Sequence, residues 1–124
     1  MSIENTVFIS YRRVNAYQAI AIQQNLIQNG YDVFLDTQSI NSGLLKPTII
    51  KEIKSRTHFI LILTPDTLKR CHEIDDWVRL EIETAIENEK NIVPLLFDHF
   101  VWNRTTLKYL TGKLATLNQY TGHK

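Results

Sequence analysis

A chain of 124 residues is long enough to bury one core and too short for two domains that would each hold themselves together. Its 44% hydrophobic and 22% charged residues are globular rather than disordered chemistry, and a formal net charge of +1 gives no electrostatic reason to bind nucleic acid or an anionic membrane. The one cysteine, Cys71, excludes an intrachain disulfide; Met1-Ser2-Ile3-Glu4-Asn5 lacks the pattern of a signal peptide, and no apolar run spans a bilayer, so a cytoplasmic protein is expected.

Short apolar runs alternate with stretches of helical period. Val7-Phe8-Ile9, β-branched and aromatic, reads as the first strand. A helix is predicted from about Asn15 to Asn29, with Ala19, Ile22 and Leu26 on its buried face, Ile20 and Ile27 widening that face, and Gly30 as the stop. Val33-Phe34-Leu35 is the second strand. Asp36 to Lys46, poor in apolar residues and carrying Ser39, Asn41, Ser42 and Gly43, reads as a loop. Pro47 suits the first turn of a helix that Ile49, Ile50 and Ile53 continue.

Phe59-Ile60-Leu61-Ile62-Leu63 is an unbroken apolar run, as a strand covered on both faces requires, and Thr64-Pro65-Asp66 ends it. Asp75-Asp76 sets acids at the start of a third helix, where the helix dipole favours them, and Val78, Ile82, Ala85 and Ile86 form its buried stripe. Ile92-Val93-Pro94-Leu95-Leu96 is the fourth strand. Beyond Asp98, Leu107, Leu110 and Leu114 fit a short helix, and Leu117 to Tyr120 an edge strand. The alternation β-α-β-α-β-α-β implies an α/β fold with a parallel sheet and right-handed crossovers.

Particular residues narrow this further. Phe8-Ile9-Ser10-Tyr11-Arg12-Arg13, Val33-Phe34-Leu35-Asp36 followed by Ser42-Gly43, Leu61-Ile62-Leu63-Thr64-Pro65, Asp76-Trp77-Val78-Arg79-Leu80-Glu81 and Asn91-Ile92-Val93-Pro94-Leu95 fall in one order along the chain. Together they resemble a Toll/interleukin receptor (TIR) domain. The tryptophan-x-x-x-glutamate spacing of Trp77 and Glu81 is similar to the NAD-cleaving branch, which includes prokaryotic and plant immune proteins and the axon-degeneration NADase. The resemblance implies a flavodoxin-like three-layer sandwich, with a mostly parallel sheet of about five strands in the order 2-1-3-4-5. It also implies a single domain over residues 1–124 that is a piece of a longer, sensor-containing protein.

In such a sheet, ligands bind beyond the carboxyl ends of the strands, where strand order reverses. Ser10 to Arg13, Asp36 to Leu45 and Glu81 can all face that cleft. The resemblance makes Glu81 the catalytic residue of a reaction that cleaves the nicotinamide–ribose bond. NAD is then the substrate, with no separate cofactor, and the product is ADP-ribose or a cyclised form. Nicotinamide leaves as a neutral molecule from a cationic centre, so the need is for a carboxylate to stabilise oxocarbenium-like charge on the ribose and hold its hydroxyls. Trp77, four residues earlier, shares a helix face with Glu81; it either stacks near the ligand or anchors its helix. Glu83 and Glu87 read as solvated charges.

Arg12 and Arg13 suit the pyrophosphate, or else pair on the surface with Asp36 or Glu52. Asp36 could orient an arginine or touch substrate, and Ser10 and Tyr11 could line the cleft. His58, His72, His99 and His123 are scattered and Cys71-His72 lacks companion ligands, so no metal site is expected. A non-enzymatic assembly module is the alternative reading. A phospho-receiver fits worse, because Arg12-Arg13 stand where it needs acids. The family resemblance also implies work in a homo-oligomeric assembly, with the loop carrying Ser42, Gly43, Leu44 and Leu45 completing a neighbour's site.

Overall fold

The computed structural model describes residues 3–35, 46–71, 73 and 76–119. Four strands form one parallel sheet: β1 (Thr6–Ser10), β2 (Asp32–Leu35), β3 (His58–Leu63) and β4 (Asn91–Leu96), in the spatial order β2-β1-β3-β4. Phe8 lies opposite Phe34 on one side and Phe59 on the other, and Ser10 opposite Leu61. Stepping out from β1 to β2 and back across to β3 puts the topological switch point between β1 and β3. Pro94 lies opposite Leu61 on β4, the strand at the edge of the described sheet, where a missing backbone N–H is tolerated.

The two-residue period of the strands divides the core in two. Val7, Ile9, Ile60 and Ile62 point to one face and meet Ala19, Ile22 and Leu26 of α1 (Ala16–Gln28). Ile20 and Ile27 do not widen that face: they are 39% and 52% exposed, on the flank of the helix. Helical period identifies a stripe, but the width of sheet beneath it decides how much of the stripe is covered. α1 opens through a 3-10 turn, Arg13–Asn15, and ends at Gly30, whose φ of +88° suits a residue without a side chain.

The opposite face carries Phe8, Phe59, Leu61 and Leu63, with the Phe8 ring stacked on both Phe34 and Phe59. It is covered by Ile49 and Ile53 of α2 (Lys46–Ser55) and by Val78, Ile82 and Ala85 of α3 (Trp77–Glu87). Ile49, Ile53, Val78, Ile82 and Ala85 are buried as the 3.6-residue period indicates, whereas Ile50 and Ile86 are only partly covered. No helix among the described residues is long and apolar enough to cross a membrane.

The C-terminal part departs from expectation. α4 (Arg104–Leu107) is a single turn capped by Asn103 and Thr106, and residues 112–119 form a 3-10 helix where an edge strand was expected from Leu117. Leu114 and Leu117 are fully buried against the core. Their three-residue spacing matches a 3-10 turn, which brings both side chains to one side, whereas strand geometry sends them to opposite faces. Tyr120 lies outside the described residues, and so do Asp36, Ser42, Gly43, Leu44 and Leu45. The sheet of the described residues therefore has four strands, and the inferred order holds through 2-1-3-4.

Candidate active site

Ser10 is the last residue of β1 and points to the same face as Phe8, toward α3. On α3, Glu81 lies three residues after Val78 and one before Ile82, so it shares their buried side. The two side chains meet at the switch point: Ser10 Oγ donates to Glu81 Oε1 at 2.7 Å, out of contact with solvent. Glu81 is 4% exposed. A carboxylate taken out of water is tolerated only with compensating hydrogen bonds, and the Ser10 hydroxyl supplies one. A fixed carboxylate in such surroundings interacts with developing positive charge far more strongly than one in water.

The two residues after Ser10 diverge. Tyr11 is half-buried, packed against the α1-side core. Arg12 turns the other way and its guanidinium is engaged throughout. Nη1 and Nη2 donate to the two carboxylate oxygens of Asp76 at 2.5 and 2.9 Å, and Nε donates to the Thr67 carbonyl at 2.7 Å. Glu52, one of the two surface partners expected, lies instead 3.5 Å from Arg56, one helical turn away, and Asp36, the other, lies outside the described residues. Arg13 is exposed in the 3-10 turn.

Asp76 does two things at once. It accepts the Arg12 fork, and its Oδ2 accepts the Arg79 backbone N–H at 3.0 Å, capping α3. Trp77 follows it, half-buried against the larger core. Thr67 is held in turn, its hydroxyl accepting the Thr64 backbone N–H at 2.7 Å, with Asn15 and Thr64 buried beside it. Cys71 lies in the same region, its Sγ 3.5 Å from Arg12 Nη2; burial pushes its thiol pKa up to about 12.

Glu83 and Glu87 are not simply solvated: Glu83 accepts from Arg79 Nε at 3.2 Å, and Glu87 pairs with Lys113. The site thus brings together Ser10 and Glu81. Asp76 and Thr67 are members that sequence reasoning missed. The helix-start acid at Asp76 was the available signal, but its partner lies 64 residues away.

A separate space of about 630 Å³ runs along the exposed side of α2, lined by Lys46, Pro47, Ile50, Lys51, Lys54 and Ser55. It contains neither Ser10 nor Glu81. Its lining offers no carboxylate or nucleophile suited to glycosidic cleavage, and volume alone supplies no reactive group.

The chain is similar to the NAD(+) hydrolase tir-1 of Caenorhabditis elegans, at 35% identity over 128 residues, covering 100% of this chain and 13% of that protein. It is similar to the NAD(+) hydrolase SARM1 of Danio rerio, at 35% identity over 122 residues, covering 95% of this chain and 17% of that protein. The chain therefore spans less than a fifth of either relative. Among solved structures, the TIR domains of the activated Roq1 resistosome superpose with a TM-score of 0.61 at 19% identity, covering 92% of this chain and 68% of that one, a likeness of fold. The family model described as TIR domain matches residues 7–120. Strand order, the paired motifs and this match over nearly the whole chain agree, and the chain belongs to the TIR domain family.

Proposed function

We propose that this chain is an NAD-cleaving TIR domain, which breaks the nicotinamide–ribose bond with Glu81 as its catalytic carboxylate and acts in immune or stress signalling. The reading is carried by one observation: Glu81, four residues after Trp77, is held 2.7 Å from Ser10 at the sheet's switch point. Its similarity to proteins named NAD(+) hydrolases supports the choice of substrate.

The bond that breaks joins the anomeric carbon of the ribose to the pyridinium nitrogen. Its electron pair stays with that nitrogen, so nicotinamide departs neutral and no general acid is needed. Positive charge develops on the ribosyl centre, and the Glu81 carboxylate stabilises it while accepting from the ribose hydroxyls. Ser10 keeps that carboxylate oriented. Water, or a nitrogen of the adenine, then captures the centre to give ADP-ribose or a cyclised product. Arg13 offers a guanidinium to the pyrophosphate, and Tyr11, Asp36 and Trp77 complete the proposed binding set.

Like the family's signalling assemblies, the domain works when copies pack together. Ser42 to Leu45 are the proposed contact with a neighbour's site. Its place is within a longer, sensor-containing protein.

The test is nicotinamide release from NAD by concentrated or artificially clustered protein, with Glu81→Ala alongside and its fold checked by circular dichroism. Release that grows per molecule with clustering and is lost in the folded variant supports the proposal. Parent protein that releases nothing under any clustering condition supports the second reading, a non-enzymatic assembly module. The deep burial of Glu81 favours that reading, since there the Ser10–Glu81 bond would serve only to join α3 to β1.

A further inference from the structure

Arg12 lies two residues after Ser10, and Asp76 lies five residues before Glu81. The contact between Arg12 and Asp76 therefore joins the segment just after β1 to the cap of α3, alongside the Ser10–Glu81 bond. Every nitrogen of the guanidinium is used: two on the Asp76 carboxylate, the third on the Thr67 carbonyl, with Cys71 Sγ closing the side of Nη2. The Arg12 side chain is 14% exposed and that of Asp76 3%.

A planar, rigid fork that meets three acceptors fixes direction as well as distance. Asp76 transmits that constraint, because the carboxylate gripped by Arg12 is also the cap of α3, through the Arg79 N–H. From the cap to Glu81 is about 1.4 turns, about 7.5 Å of helix rise, with no loop between them to absorb a displacement. The third acceptor anchors the lever at its other end: Thr67 is held in its own turn by the Thr64 backbone.

We propose that Arg12 is a positioning residue and not a ligand of the substrate phosphates. Its fork on Asp76 sets the first turn of α3 relative to the end of β1, and so sets where the Glu81 carboxylate stands against the reacting ribose. The proposal rests on Glu81 being the catalytic carboxylate. Lysine at position 12 keeps the charge but cannot meet both Asp76 oxygens and the Thr67 carbonyl from one plane. Asparagine at position 76 keeps a helix cap but removes the charge that orients the fork.

The experiment measures nicotinamide release against NAD concentration for clustered parent protein, Arg12→Lys, Asp76→Asn and the double variant, with near-ultraviolet circular dichroism reporting the fold. Asp76→Ser, which also keeps a cap, replaces Asp76→Asn if that variant does not fold. Each single variant is expected to lower kcat by about tenfold to a hundredfold, the scale of a small misplacement of a reacting group. KM should stay within about twofold, and the double variant should fall no further than the worse single one. A raised KM in Arg12→Lys alone, with Asp76→Asn unaffected, assigns Arg12 to the substrate phosphates and overturns the proposal. Lower melting temperatures with unchanged kcat make the pair merely structural and overturn it too.

A second readout does not need turnover: the carboxyl 13C resonance of Glu81 followed through a pH titration. Arg12→Lys and Asp76→Asn are expected to shift that titration, and an unchanged curve in both overturns the proposal. If parent protein and Glu81→Ala alike release no nicotinamide, the NAD-cleaving reading has failed, and the carboxyl titration alone decides whether Arg12 sets Glu81.

Discussion

The hydroxyl of Ser10 and the carboxylate of Glu81, 71 residues apart in sequence, form a 2.7 Å hydrogen bond that joins the end of β1 to the middle of α3 beneath the surface. One bond thus ties the central strand to the helix that carries the candidate catalytic group. Ser10→Ala leaves a buried carboxylate oxygen without this donor, which costs about 1–3 kcal/mol of stability by urea unfolding. If the domain cleaves NAD as proposed, Ser10→Ala is expected to lower kcat for nicotinamide release about tenfold or more, as when an oriented group is released. Glu81→Gln, which keeps the shape but not the charge, is expected to lower kcat further, by about 10²–10³.

The C-terminal 3-10 helix is part of the core and not a loose tail. Leu114→Ala and Leu117→Ala each remove a fully buried side chain, and each is expected to lower stability by about 2–4 kcal/mol in urea unfolding. Leu107→Ala, at a position 40% exposed, is the comparison and should change stability by less than about 0.5 kcal/mol.

Gly112 opens that helix with φ +56°, and a Cβ there would stand 3.1 Å from Arg79 Nη2. The same arginine reaches the Cys71 carbonyl at 2.5 Å and the Thr111 hydroxyl at 2.8 Å, so it has little room to move away. Gly112→Ala is expected to cost about 1 kcal/mol or more through the backbone conformation and this contact. Gly112→Asn should cost less than alanine, because asparagine tolerates positive φ while still meeting the arginine. Thermal melts of the three proteins check the order.

Cys71 gives a pH dependence of definite sign. Burial raises its thiol from 9.0 in the open chain to about 12 in the folded one. Below pH 9 the thiol is protonated in both states and contributes no slope. Between 9 and 12 the unfolded chain loses the proton while the folded one keeps it, so stability falls as pH rises, by up to about 1.4 kcal/mol per pH unit. Urea unfolding at pH 7, 9 and 10.5 should therefore show a steeper alkaline loss in the parent than in Cys71→Ala. Thiol labelling at pH 7.5 should be slow in native protein and fast in urea.

Much of the fold was legible in the residues. Val7-Phe8-Ile9 and the run from Phe59 to Leu63 read as covered strands, and Ala19, Ile22 and Leu26 as one side of a helix, because solvent-averse side chains repeat with the period of the backbone that buries them. Trp77 and Glu81, at a spacing of four, were bound to share a helix side, while the family was legible only from five segments falling in one order along the chain.

Other features depended on what packs against what. Ile20 and Ile27 fit the helical pattern of α1 yet stay exposed, since the sheet beneath α1 covers only part of its surface. Leu117 follows the local pattern of an edge strand but pairs with Leu114 in a 3-10 turn over α3. Arg12 could have met Glu52 on the surface, and instead meets Asp76, brought to it by the chain's return through β3. Local periodicity is set within a few residues and can be read from the sequence. The depth of Glu81, its bond to Ser10 and the choice of Arg12's partner arise between segments more than fifty residues apart, and only the folded sheet brings them within reach.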